Sequence, residues 1–221
     1  MNAAQLLHLL QFASPALPIG GYSYSQGLEA AFEAGLVHDA PSARIWIARH
    51  LLEVIARWDA PLLWRLLHAF AASDRAAIDL WSERFLASRD SAEARAETVQ
   101  MGFSLKGLLA ELGVADVTAL GGETTLPAAF ACACAALAIP APQALLAMLF
   151  GWAENQVLVC VKSVPLGQVA GQRLLLSLRV ELEQAAQLAM DLPDEAMCNW
   201  APALSMLSMR HEVQHGRIYR S

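Results

Sequence analysis

"TTLPAAFACACAALAIPAPQALLAMLFGWA", residues 124–153, lies between Glu123 and Glu154 without one charged side chain. Such a run forces a choice between a membrane span and a buried core, because a transmembrane helix needs about 20 consecutive apolar residues. Pro140-Ala141-Pro142 cuts the run into pieces read as too short to span. In lipid, a proline-broken backbone goes unsatisfied unless neighbouring protein covers it. Two buried core helices are therefore expected, over roughly 125–138 and 142–162. Within the first, Cys132 and Cys134 are two apart and are expected on different faces of the helix. With Cys160 and Cys198 they contain no Cys-x-x-Cys pair, so small buried hydrophobes are expected, not a disulfide framework or a zinc-thiolate site.

Working outward, the same helical signature continues. In "RIWIARHLLEVIAR" (44–57), Ile45, Ala48, Leu52 and Ile55 recur at three- and four-residue spacing, and Arg49, Glu53 and Arg57 form an i, i+4 ladder. Asp39-Ala40-Pro41-Ser42 is the start signal of this helix. Further helices are expected over 61–72, with Pro61 in the first turn, over 74–88, and over 92–112, the last stopped by Gly113. One long helix is expected from Gly167 to Met190, with Leu174, Leu178, Leu182 and Ala185 on its apolar stripe. No sustained period-2 alternation appears, and Ala and Leu dominate. The fold class is all-α, one bundle-like domain over 1–221 with roughly eight to ten helices.

Composition narrows function. The 221-residue chain is 56% hydrophobic, with net charge −6, pI near 5.5 and mean hydropathy +0.38. That balance gives no field attracting nucleic acid or an anionic membrane. Met1-Asn2-Ala3-Ala4-Gln5 lacks the basic region of a secretory leader, so a cytoplasmic location is expected. Neither "GGYSYSQG" nor "GQVAGQR" has the context of a phosphate-binding loop. Gly167 and Gly171, one turn apart, are expected where two helices approach closely.

Two segments break the helical pattern. In "SPALPIGGYSYSQGLE" (14–29), Pro15 and Pro18 stiffen the chain, Gly20 and Gly21 permit a turn, and Ser23 or Ser25 can cap the helix carrying Gln26 and Glu29. The other is the polar tail after Pro202, where His211-Glu212-Val213-Gln214-His215 fits the H-E-x-x-H pattern of zinc metallopeptidases. Catalytic zinc needs a third protein ligand, but no histidine or acid follows His215. His211 and His215 are instead expected on one face of a surface helix with no metal chemistry. Nickel suits imidazole, yet no cofactor and no metal ligand is assigned.

Four blocks, "LLQFASPALPIGGYSYSQGLEAA" (9–31), "RAETVQMGFSLKGLL" (95–109), "VPLGQVAGQRLLLSL" (164–178) and "SMRHEVQHGRIYRS" (208–221), resemble in order the recurring segments of the UreF family of urease accessory proteins. The resemblance implies an all-α cytoplasmic protein without turnover of its own. It also implies a homodimer that binds the accessory protein UreD (UreH in some systems) and the GTPase UreG, regulates GTP hydrolysis, and supports nickel insertion into apo-urease. Arg210, His211 and Glu212 match the family's Arg-His-Glu, and Arg217, Tyr219 and Arg220 its basic-aromatic-basic ending. Residues 203–221 are thus expected as a docking tail that orders when its partner arrives. Tyr22, Gln26 and Glu29 are expected as exposed contacts of a second surface. The competing readings are the zinc peptidase and a generic helical adaptor unrelated to urease.

Overall fold

The computed structural model describes residues 1–164 and 166–221; Pro165, inside the third block, lies outside the described residues. Among the described residues the chain is all α-helical without strands: α1 Ala3–Phe12, α2 Leu28–Glu33, α3 Ala40–Glu53, α4 Asp59–Ala71, α5 Arg75–Ala87, α6 Ala92–Glu111, α7 Leu126–Ala136, α8 Ala141–Ser163, α9 Gln168–Ser177, α10 Arg179–Asp191 and α11 Pro202–Glu212. These eleven helices exceed the eight to ten expected, partly because one expected helix is two. The chain turns at Leu178, between α9 and α10, yet Leu174, Leu178, Leu182 and Ala185 are all buried as their spacing requires.

Local chemistry sets the boundaries. Asp39 accepts from the backbone N–H of Ser42 at 2.8 Å and the Ser42 hydroxyl meets the Asp39 N–H, a reciprocal cap that starts α3. Asp74, Ser91 and Thr125 cap α5, α6 and α7 more simply, each side chain accepting from the backbone N–H three residues on. Gly113, at φ +62°, follows the end of α6. The face of α3 differs from expectation. Ala43, Ile47, His50 and Leu51 turn inward, whereas Ile45 is exposed, and α3 ends at Glu53 before Arg57 can extend the ladder. The apolar residues there surround the helix, so two stripes fit the spacing and only packing selects one.

α4 packs against α5, α7, α8 and α10, and one contiguous buried cluster runs from Leu9 to Tyr219. The charge-free run supplies α7, buried on nearly every side including Cys132 and Cys134, and the first part of α8. Cys160 is also buried, but Cys198 is exposed and departs from the expected pattern. The prolines do not leave two short pieces. α8 has 23 residues and is long and apolar enough, by length and composition, to cross a membrane. In the fold it packs on α3, α4, α9 and α10 and buries the Gln156 side chain completely.

Close approach does require glycine, at one of the two positions expected and at one not foreseen. A Cβ on Gly171 would stand 2.6 Å from Val161 Cγ2 of α8, whereas one on Gly167 would meet nothing. A Cβ on Gly102 of α6 would lie 2.1 Å from the Thr124 carbonyl oxygen, against the start of α7. Replacing Gly102 by Ala should therefore destabilise by about 2–3 kcal/mol, lowering the melting temperature by roughly 5–10 °C. Gly107→Ala on the same helix, where the added methyl group meets open space, should stabilise by up to about 1 kcal/mol. Thermal unfolding of the two variants checks the packing of α6 on α7.

Candidate functional site

The tail closes onto the region around residues 20–29. Gly20 adopts φ +80° and precedes a short 3₁₀ turn, Gly21–Ser23; Gly21 itself has no left-handed backbone. Gly27, also at φ +80°, occupies the N-cap of α2, so neither Ser23 nor Ser25 is the cap residue, although Ser25 Oγ accepts from Glu29 N at 3.2 Å. This geometry places Glu29 in the first turn of α2, aimed inward and only 4% exposed.

Three donors converge on that carboxylate. Ile218 N donates to Oε1 at 2.7 Å, and Tyr219 N and His211 Nε2 stand 3.0 and 2.8 Å from Oε2. His211, fully buried, places Nδ1 2.7 Å from Glu93 Oε2 on α6, and Glu93 also pairs with Arg217. His211 and Arg217 thus stand opposite the two carboxylates, and buried acids are tolerated only where such polar partners surround them. Farther along, Arg220 N donates to Ser23 O and Ser25 N to Ser221 O, both at 2.8 Å. Glu212 accepts from Ala92 N at 2.8 Å, satisfying an otherwise unpaired N–H at the start of α6.

Glu97, one turn after Glu93, extends the arrangement. It accepts from Gln26 Nε2 at 2.6 Å and from Ser221 Oγ at 2.9 Å, while Trp152 Nε1 donates to Gln26 Oε1 at 2.6 Å. Burial pushes the Glu97 carboxyl up to about 7 despite these donors. Beside it lies a cavity of about 300 Å³, with Leu63 and Phe130 on its apolar side and His50, Asp59 and Arg89 on its polar side. Arg89 and Asp59 pair at 2.7 Å, and burial pushes His50 down to about 4, leaving it neutral.

A family model described as UreF matches residues 37–179. The chain is similar to the urease accessory protein UreF of Janthinobacterium sp. strain Marseille, with 62% identity covering 100% of each chain. It is also similar to those of Nitrosospira multiformis, 54% identical over 98% of this chain and 97% of the relative, and Delftia acidovorans, 50% identical over the same shares. The chain belongs to the UreF family of urease accessory proteins.

In this UreF chain the expected site residues divide between core and surface. Tyr22 is exposed, at 61%, and Lys162 approaches its ring, whereas Gln26 is half-buried. Glu29, His211 and Tyr219 are buried, so they are not the exposed contacts expected of them. Arg210, Glu212, Arg217 and Arg220 are exposed, and Pro15 and Pro18 are exposed in the loop that carries Tyr22. The tail after Pro202 is not an open polar segment: α11 and the last residues are seated. The zinc-peptidase geometry fails as well. α11 ends at Glu212, His215 lies beyond it on the surface, and both His211 nitrogens face carboxylates.

Glu93 and Glu97 were not foreseen. Their signal was present: acids at i, i+4 on a helix share one face, here with the buried Met101. Because Glu29 satisfies two backbone donors and a buried ring, Glu29→Ala should cost about 3 kcal/mol, whereas Glu212→Gln, exposed, should cost under about 1 kcal/mol. Urea unfolding of both variants measures the difference.

Proposed function

We propose that this chain is a non-enzymatic maturation factor for urease, acting in the cytoplasm as a homodimer of single-domain chains. It holds a UreD-type (UreH-type) accessory protein and the GTPase UreG in one assembly and regulates GTP hydrolysis, so that nickel, the cargo, reaches apo-urease. Full-length similarity to proteins named urease accessory protein UreF supports the reading.

The observation that carries the docking role is the outer side of the seated tail. Trp200, Met206, Met209 and Val213 are exposed along and beside α11, and Arg210, exposed among them, has no ion-pair partner among the described residues. Large apolar groups beside a free guanidinium are the residue types from which binding hot spots are made. Tyr22, Gln26, Arg217 and Arg220 supply a second, adjoining contact, while Glu29, His211, Glu212 and Tyr219 contribute by holding the tail in place. Because the tail is already seated, the partner meets a formed surface and the ordering cost of binding falls. The generic-adaptor alternative predicts no effect on urease.

The double variant Arg210→Glu, Val213→Glu alters only exposed groups and should change stability by about 0.5 kcal/mol per site or less. It should lose co-purification with UreD, and urease made in its presence should carry less nickel and activity. Unchanged co-purification and nickel content would remove the docking role.

A further inference from the structure

Glu97 is shared by three parts of the structure. It sits on α6 in the core, binds the loop through Gln26, and binds the tail through Ser221. No salt bridge reaches it among the described residues, and the reason is visible in its surroundings. Arg89, between α5 and α6, and Asp59, at the start of α4, are the charged groups that act on it, and they are paired with each other. On its own helix, Glu93 is taken by His211 and Arg217. Glu29 of α2 is occupied by the tail amides and His211. Arg220 of the tail turns to Gln100, at 3.5 Å. His50 of α3 is neutral, and α8 contributes the uncharged Trp152, through Gln26.

We propose that Glu97 is a proton-linked latch for the tail: protonated, it keeps Ser221 seated, and ionised, it draws water beneath residues 218–221 and releases them from residues 23–25. The cover over Glu97 that can most readily move is Ser221, which belongs to no helix and is held by its contacts to Ser25 and Glu97. When neutral, the carboxyl can donate to Ser221 Oγ and still accept from Gln26, so both hydrogen bonds survive protonation. When ionised, it has no ion-pair partner among the described residues, Arg89 being held by Asp59, and lifting Ser221 restores water.

The direction follows from linkage. The carboxyl sits at about 7 with the tail seated, against an ordinary 4.5, so the seated state binds the proton more tightly than the lifted state. Seating is therefore strongest at low pH, weakens as pH rises through this window, and changes no further above the seated value. The latch itself requires no partner. Its regulatory meaning, that a pH rise loosens the docking surface, rests on the function proposed above.

Hydrogen exchange of the isolated full chain, read by mass spectrometry and corrected for intrinsic rates, tests the latch without any partner. Between about pH 6 and about pH 8 the protection of residues 216–221 should fall roughly five- to tenfold in the natural chain and stay within about twofold in Glu97→Gln. An equal fall in both, or none in the natural chain, would overturn the latch. Should Glu97→Gln fail to fold, the natural chain alone decides. Its protection, on a logarithmic scale, should fall with rising pH and level off near about 7, and a curve already level below about 5.5 would refute the assignment.

Discussion

The Glu29 carboxylate accepts from two amides of the tail and from the His211 ring, and it does so out of contact with water. A carboxylate so placed is unfavourable alone and favourable with all of its donors present, because desolvation costs several kcal/mol and only complete hydrogen bonding offsets it. The seat is consequently near all-or-none. Removing His211 would strand Glu29 and Glu93 together, and removing the tail would uncover Glu29 and Glu97. What reads as a polar C-terminal appendage is thus a structural element of the fold.

Much of the fold was legible because its signals are local. The start signal at Asp39, the proline in the first turn of α4, the glycine after α6, and the charge-free run that became α7 and the first part of α8 all act within one or two turns. Errors arose where tertiary packing decides. α3 carries apolar residues around its circumference, so the buried face containing Ile47 and Leu51 could not be told from the one containing Ile45. The long helix broken at Leu178 kept its apolar stripe across the break, which hid the break from periodicity.

The candidate site was legible in its residues but not in its roles. Glu29, His211 and Tyr219 were singled out, yet as exposed contacts, because polar residues are ordinarily exposed and nothing local reveals a partner some 180 residues away. The expectation that His211 and His215 share one face of a surface helix failed for a related reason: it depends on a continuous helix, and α11 stops between the two histidines. The resemblance carried the family, which full-length similarity bears out. In the docking role proposed above, a pre-seated tail presents exposed side chains such as Arg210 and Met209 on a fixed frame, not recruited from a disordered end.

The most direct test is backbone ¹⁵N relaxation of the isolated chain. If Glu29, His211 and Glu93 seat the tail, the amides of Ile218, Tyr219 and Arg220 should show order parameters near about 0.85, like those of α6. Values below about 0.6 at these residues, with α6 rigid, would mean that the tail is free in solution and would contradict the account.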